Sequence, residues 1–282
     1  MGKRIGFGLL AGICVIFILT YLPKYCFNIL VTLAAIGSTY EFIGAVEKLG
    51  FKPMKFVAYA SCLVFLFIGV ISQSEVYKWA LAFLGAMIMF SLIYAFFVRR
   101  GKNSFMDVCF TFFNVLYIVV LLIFLLLTYY VPNGTYSSNL NVDEGRFLVW
   151  YIIFGACFTD IFAYFIGSKF GKHKLCPDIS PKKSVEGAVA GVIGCIIVLI
   201  IYTLVLNNYF GFDINYISIV ILSVIVSVFG QLGDLVASSI KRSTGIKDFG
   251  SFLPGHGGVL DRIDSLLFVA PVIYYYLVYF IK

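Results

Sequence analysis

Charged side chains are scarce in this sequence, and their scarcity excludes the ordinary class of soluble proteins. Of the 282 residues only 12% are charged, whereas 61% are hydrophobic and 18% are aromatic. The mean hydropathy is +1.00. Because a soluble domain typically carries about 25% charged residues, this composition predicts a protein that resides in a membrane.

Other familiar features are also missing. The seven cysteines include no C-x-x-C pair and lie mostly in apolar runs, which argues against a disulfide framework and a zinc site. There is no internal repeat and no loop of the size of a soluble domain. The first apolar run, over 5–22, has no A-x-A-like cleavage site after it, so we expect a retained helix and not a signal peptide.

Long apolar runs are abundant. A transmembrane helix needs about 20 apolar residues, and runs that do not alternate with polar residues indicate helices and not a barrel. Candidate spans lie near 5–22, 25–46, 55–73, 77–98, 105–131, 147–168, 187–206, 216–240 and 265–281. We predict an all-α, polytopic integral membrane protein of about nine transmembrane helices. Residues 1–282 would form a single membrane domain, with N-terminal helices over about 5–131 and the functional helices and loops over about 147–282.

The basic residues predict the orientation. If the N-terminus is cytoplasmic, 17 of the 21 Lys and Arg residues face the cytoplasm, and only Lys24, Lys78, Arg146 and Lys282 lie outside. This asymmetry is what the positive-inside rule expects for an odd number of crossings.

One segment, from Asp234 to Asp264, contrasts with the low charge of the rest. It carries four Asp residues together with Lys241, Arg242, Lys247, His256 and Arg262. An isolated carboxylate costs several kcal/mol when it is taken out of water. A cluster of carboxylates and cations therefore indicates a site for a metal ion and phosphates.

A polar stripe leads into this segment. Gln231, Asp234, Ser238 and Lys241 are spaced by three, four and three residues, so on a helix they share one face. Such a stripe is typical of a bundle interior or a water-filled cavity, where an Asp is a functional candidate. The alternative is an Asp that a Lys of a neighbouring helix holds for packing specificity.

Downstream, Asp261 and Asp264 are three residues apart and would share a face of the last helix if it begins by residue 261. Paired carboxylates near phosphates suit Mg²⁺, which prefers oxygen ligands. As an alternative, Asp264 caps that helix, with Ser265 following.

The glycine-rich run 255–258, which contains His256, leaves backbone N–H groups accessible to a phosphate. By itself the run is compatible with a simple turn. The cations around it, Lys241, Arg242, Lys247 and Arg262, strengthen the phosphate interpretation.

Polar residues elsewhere add two candidates. The loop over 180–186 holds Lys182, Lys183 and Ser184, of which Ser184 can cap the next helix and help to hold phosphate, or the lysines can simply anchor the loop at the headgroups. Asp160 lies deep in the sixth apolar run and could line one cavity with Asp234. Glu41 is a similar intramembrane acid whose role the sequence does not reveal.

Taken together, these residues resemble a known family. The run SSIKRSTGIKDFGSFLPGHGGVLDRID, from Ser238 to Asp264, is similar to the signature of the phosphatidate cytidylyltransferases, or CDP-diacylglycerol synthases. The match includes every fixed position of that signature. It extends upstream to Gly233 and Asp234 and to SPKKSVEG at 180–187.

The resemblance implies transfer of a cytidylyl group from CTP to phosphatidic acid by in-line attack at the cytoplasmic leaflet, giving CDP-diacylglycerol and pyrophosphate. It implies Mg²⁺ bound by Asp234 and Asp261, and we expect a second, monovalent cation. The catalytic residues would be Lys241, Arg242, Lys247, His256, Arg262 and Asp264. Substrate contacts would come from Ser180, Lys182, Lys183, Ser184, Ser238, Asp248, Gly257, Gly258 and Asp160.

Departures from the family pattern and rival functions also bear on the prediction. Ser184 and Val185 stand where the family usually has Thr and Trp, and Ala237 occupies a position that is often acidic. Rival functions are an ion-coupled secondary transporter, which would normally show paired repeats, and a related CTP-dependent lipid or polyprenol phosphate enzyme. We expect a multi-pass protein of the cell inner membrane, able to form a homodimer and binding no nucleic acid.

Overall fold

A computed structural model describes residues 2–67, 85–87, 89–94, 97, 104–139, 142–250 and 257–280, and it describes the side chains of these residues from 12 onward, except at 104. The N-terminal helices are α1 (Gly2–Tyr21), α2 (Lys24–Glu47) and α3 (Lys55–Cys62), and a 3₁₀ turn (Leu63–Leu66) follows α3. Helix α4 (Ser104–Asn114) continues through a π-helical segment (Val115–Val120) into α5 (Leu121–Tyr129). The remaining elements are α6 (Glu144–Phe170), β1 (Lys174–Cys176), β2 (Ser180–Ser184), α7 (Val185–Phe210), α8 (Tyr216–Ser243) and α9 (Leu260–Phe280).

Six of these helical stretches are long and apolar enough to cross a membrane, which confirms the prediction of an all-α polytopic membrane protein. They are Lys24–Glu47, Phe105–Tyr129, Glu144–Phe170, Val185–Phe210, Tyr216–Ser243 and Leu260–Phe280. The other predicted helices, over 5–22, 55–73 and 77–98, fall partly outside the residues whose side chains are described. The total of about nine helices, and the cytoplasmic N-terminus, stay predictions.

The chain divides into two compact units. Residues 1–126 and 243–262 form the first unit, and residues 127–242 and 263–282 form the second. The loop that follows α8 therefore belongs with the N-terminal helices by its contacts, although it is distant from them in sequence.

In the first unit, side chains of α4 hold the extended segment between α2 and α3. The Asp107 Oδ1 atom accepts a hydrogen bond from the backbone N–H of Lys52 at 2.6 Å, and Thr111 Oγ1 accepts one from that of Met54 at 2.8 Å. These bonds satisfy backbone donors that no helix or strand serves. They fix the connection between two apolar helices.

In the second unit, α6 and α7 pack closely because small residues line their interface. A Cβ atom on Gly191 would lie 3.0 Å from the Thr159 carbonyl oxygen, and one on Gly167 would lie 3.2 Å from the Gly187 Cα atom. Small residues at such contacts let helix backbones approach each other in a membrane.

The polar loop before α6 is organised by one buried acid. The carboxylate of Glu144 accepts backbone N–H bonds from the four residues 134–137, at 2.8 to 3.2 Å. Burial, together with this carboxylate, raises the pKa of Tyr136 to about 12. The Tyr136 hydroxyl stays protonated at neutral pH and donates to the Leu277 carbonyl oxygen at 2.8 Å.

Candidate active site

The basic loop before α7 is a β-hairpin, which the sequence analysis did not predict. Strand β1 pairs with β2 in antiparallel register, with Lys174 opposite Ser184 and Cys176 opposite Ser180. The carboxylate of Glu186 binds the backbone N–H groups of Lys172 and His173, at 3.1 and 3.2 Å, and the His173 Nδ1 atom at 2.6 Å. Glu186, in the first turn of α7, thus holds the backbone just before the hairpin.

The predicted cap on α7 is confirmed. Ser184 is the N-cap residue, and its Oγ atom accepts a hydrogen bond from the Gly187 N–H at 3.2 Å. Its side chain is 5% exposed and lies against Gly167 and Gly171 of the neighbouring helix end. The hydroxyl thus serves a backbone donor that would otherwise be unsatisfied at a helix start.

Replacing Ser184 by Ala is expected to lower the free energy of unfolding by about 1 kcal/mol, because the Gly187 N–H loses its acceptor in a site closed to water. Thermal unfolding of the purified protein in detergent measures this loss. Ser180→Ala on the same strand is the control and is expected to leave the melting temperature unchanged. Equal melting temperatures for the two variants would contradict the capping role.

The polar stripe of α8 faces other parts of the second unit, as predicted. The Gln231 Nε2 atom donates to the Ala188 carbonyl oxygen and to Ser227 Oγ, each at 3.2 Å. Ser238 is 7% exposed and donates to Asp234 Oδ1 at 3.3 Å. Gln231 therefore contacts the neighbouring helix α7, and Ser238 is buried within this unit.

Asp234 is paired with Lys183. The Lys183 Nζ atom lies 2.7 Å from Asp234 Oδ2, and it also donates to the Gln231 carbonyl oxygen at 3.3 Å. The two side chains are 23% and 29% exposed, so the pair remains accessible to solvent or a ligand. A lysine does hold Asp234, as the packing alternative requires, but this lysine comes from a strand and not from a neighbouring helix.

Two more carboxylates lie near Asp234. The charges of Asp160, Asp234 and Asp264 act on one another, and Lys183 and Lys241 oppose that repulsion at Asp160 and Asp264 respectively. Asp160 and Asp234 are therefore close enough for their charges to interact, and the cavity that they were expected to line stays a prediction.

Hydrogen bonds orient the other two acids, Asp160 and Asp264. Asp160 Oδ2 accepts from the Ser265 hydroxyl at 2.9 Å, and Asp264 Oδ1 accepts from the Ser265 backbone N–H at 2.8 Å. Asp264 is 7% exposed and Lys241 is 8% exposed. Ser265 thus links the two carboxylates, a function that the sequence analysis did not assign to it.

The alternative role for Asp264 as a helix cap is wrong. Helix α9 begins at Leu260, five residues before the start predicted at 265, so Asp264 lies inside the helix. The condition for Asp261 and Asp264 to lie one turn apart on that helix is met. The predicted start was too late because residues 261 and 262 in the first turn are charged. A hydropathy pattern does not detect charged residues as part of an apolar helix.

The first unit holds other predicted residues, among them Asp261. Asp261 Oδ2 accepts backbone N–H bonds from Phe249 at 2.9 Å and from Gly258 at 3.1 Å. Gly257 has a φ angle of 81°, a conformation that favours glycine. The carboxylate therefore holds two backbone segments, at Phe249 and at Gly258, next to the start of α9.

Glu41 acquires a role in this unit. Its Oε1 atom accepts from the Val259 N–H and its Oε2 atom from the Leu260 N–H, each at 2.9 Å. The residues lie more than 200 positions apart in the chain, so local sequence patterns give no signal for the contact. The only sequence clue was that an acid inside an apolar helix requires a partner.

The remaining predicted residues are mostly exposed to solvent. Arg242 donates from Nε to the Ile179 carbonyl oxygen at 3.4 Å, which joins α8 to the hairpin turn. Ser180 is half-buried, and Lys182, Lys247, Asp248 and Arg262 are exposed. His256 lies outside the described residues.

A Mg²⁺ ion needs oxygen donors, and two of the predicted residues carry them. Among residues whose side chains are described, no group of three or more His, Cys, Asp or Glu side chains forms a metal site. Mg²⁺ commonly uses only one or two protein carboxylates and takes its other ligands from phosphates and water. The partly exposed Asp234 and the half-buried Asp261 offer oxygen donors of that kind.

Comparisons with known proteins show what the chain is similar to. A model described as the cytidylyltransferase family matches residues 2–280. The phosphatidate cytidylyltransferase of Bacillus subtilis (strain 168) is 34% identical over 281 residues, 99% of this chain and 98% of that protein. The protein of that name from Staphylococcus saprophyticus is 37% identical over 236 residues, 82% and 84% of the two chains. The one from Staphylococcus haemolyticus (strain JCSC1435) is 39% identical over 192 residues, 67% of each.

Proposed function

The chain belongs to the cytidylyltransferase family, and we propose that it transfers a cytidylyl group from CTP to phosphatidic acid and releases pyrophosphate. The observation that carries this proposal is similarity over essentially the whole chain to a phosphatidate cytidylyltransferase. The signature residues from Ser238 to Asp264 lie within that similarity.

The step forms one bond and breaks one. A phosphate oxygen of phosphatidic acid attacks the α-phosphorus of CTP, and the bond from that phosphorus to the β-phosphate breaks in line. The electron pair of the broken bond leaves with pyrophosphate. A phosphate monoester is already a nucleophile at neutral pH, so the main obstacle is the mutual repulsion of two polyanions.

The charges in the second unit support this chemistry. Lys183 and Lys241 are cations held beside carboxylates, and fixed cations of this kind can offset the negative charge of phosphates. We assign phosphate contacts to these lysines and to Arg242. Lys247, Arg262 and His256 would contact phosphates according to the family signature.

We assign Mg²⁺ to Asp234 and Asp261, following the family resemblance. When bound, the ion would supply positive charge that offsets the charge growing on the departing pyrophosphate. Asp264 and Asp160 would orient the groups around Asp234. A second, monovalent cation and a homodimer are further predictions.

The reaction would take place at the cytoplasmic leaflet of the bacterial plasma membrane. CTP arrives from the cytoplasm and phosphatidic acid remains in the bilayer, so a multi-pass protein can meet both at one membrane surface. The basic residues that surround the signature favour the cytoplasmic side by the positive-inside rule.

The proposal is tested by incubating the purified protein with radiolabelled CTP and phosphatidic acid, with Mg²⁺ or with EDTA. We expect labelled CDP-diacylglycerol with Mg²⁺ and none with EDTA. Label transferred only to a polyprenol or to an archaeal-type ether lipid phosphate would indicate the related enzyme. Solute uptake into vesicles without nucleotide consumption would instead identify a transporter.

A further inference from the structure

The carboxylate of Glu41 lies beside the segment that carries Asp261. Glu41 is 4% exposed, in the second half of α2, and it belongs to none of the motifs that define the family resemblance. We propose that Glu41 is a positioning residue, which holds the backbone at the start of α9 so that the Asp261 carboxylate is presented for metal binding. This inference rests on the proposed function.

The contact uses both carboxylate oxygens. Each accepts one backbone N–H, from Val259 and Leu260, at 2.9 Å. These donors stand at the N-terminus of α9, where N–H groups have no partner within the helix and where the helix dipole favours a negative charge. Glu41 therefore acts as the cap of α9, supplied by another helix and not by a neighbouring residue.

The surrounding backbone fits closely against this carboxylate. Cβ atoms on Gly250 and Gly258 would overlap the Glu41 side chain. Only glycine therefore lets the backbone approach this carboxylate at both positions. Asp261 binds the N–H groups of Phe249 and Gly258, which are adjacent in the chain to these contacts. The two acids therefore hold the same two backbone segments, at 249–250 and at 258–260.

A carboxylate is required here for a chemical reason. An acid within an apolar helix costs several kcal/mol unless partners compensate for it, and the two N–H bonds with the helix terminus supply that compensation. A glutamine has one oxygen acceptor and one NH₂ donor. In its place, one of the Val259 and Leu260 donors would face another donor.

Glu41→Gln is the first test, in the purified full-length protein. We expect kcat to fall about 10- to 100-fold, the range typical of groups that orient a metal ligand. The Mg²⁺ concentration for half-maximal activity should rise, while KM for phosphatidic acid changes little. Glu47→Gln is the matched control, because Glu47 is on the same helix but pairs with Lys55 at 2.9 Å, and it should retain wild-type kinetics.

Hydrogen–deuterium exchange gives a readout that does not depend on activity. Without Mg²⁺ or CTP, amides in a peptide covering 257–262 should exchange faster in Glu41→Gln than in the wild type or in Glu47→Gln. A general loss of structure would instead speed exchange throughout the chain and lower the melting temperature.

Gly250→Ala is the second variant, since it leaves Glu41 intact but inserts a methyl group against its carboxylate. It should show the same rise in the Mg²⁺ requirement, and the double variant should lose little more than either single variant. If Glu41→Gln does not accumulate in the membrane, Gly250→Ala decides the question by the same two measurements.

The outcomes are distinguishable. Wild-type kcat and Mg²⁺ requirement in Glu41→Gln, or unchanged exchange over 257–262, would overturn the positioning role. If the wild type itself forms no CDP-diacylglycerol, the proposed function fails and the metal-positioning role fails with it, while the exchange data still report whether Glu41 holds the loop.

Discussion

Replacing Asp261 by Asn is expected to reduce CTP-dependent formation of CDP-diacylglycerol by at least about 100- to 1,000-fold, while the protein still inserts and purifies normally. The neutral amide is a poor ligand for Mg²⁺, which prefers charged oxygen donors. Its carbonyl oxygen can still accept the N–H bonds of Phe249 and Gly258, so the loop should keep its structure. Product formation from radiolabelled CTP measures the loss.

The control for this variant is Asp178→Asn, which removes the same charge from an exposed turn of the hairpin. It should behave as the wild type in the assay and in thermal unfolding. Near-normal activity in Asp261→Asn would remove Asp261 from the metal site. The assignment of Mg²⁺ to the signature aspartates would then have to be abandoned.

Replacing Lys183 by Met is expected to lower kcat/KM about 100-fold, an effect comparable to removal of one charged group from a site that stabilises phosphate charge. Without the ammonium group, Asp234 would face the charges of Asp160 and Asp264 with less compensation. The stability should change by less than about 1 kcal/mol, because a partly exposed ion pair contributes little to folding. Measuring both activity and melting temperature separates a loss of catalysis from a loss of stability.

Lys174→Met on the paired strand is the matched control, because Lys174 is exposed and lies opposite Ser184 in the hairpin. It should retain wild-type activity. A Lys183→Met variant that keeps more than half of the wild-type kcat/KM would show that the ion pair with Asp234 is not needed for the reaction. A large drop in melting temperature would instead identify a structural role.

Much of the fold could be read from the chain because its signals are local. Long apolar runs predicted the spans that the described helices confirm, and a hydroxyl before an apolar run predicted the Ser184 cap. Spacing along one helix predicted the polar stripe through Gln231 and Asp234. Each of these depends on residues within a few turns of one another, whose geometry a helix fixes.

The hairpin and the start of α9 could not be predicted in this way. Residues 174–184 lack the alternating apolar pattern of a strand, and Glu186, beyond the hairpin in sequence, binds the backbone at its start. The first turn of α9 is charged, and the N–H groups at its start bind Glu41, which is distant in sequence. Both features are stabilised by partners that are not adjacent in sequence.

The sequence by itself determined the membrane class, the family and the set of polar residues, because composition and a long signature do not depend on how the chain folds. Only the tertiary structure distinguished among residues of the same type. Lys182 and Lys183 are neighbours, yet alternation along a strand leaves the first exposed and brings the second to Asp234. The role of Glu41 likewise depends on the fold. Its carboxylate accepts hydrogen bonds from two backbone N–H groups more than 200 residues away in the chain, and only folding brings them together.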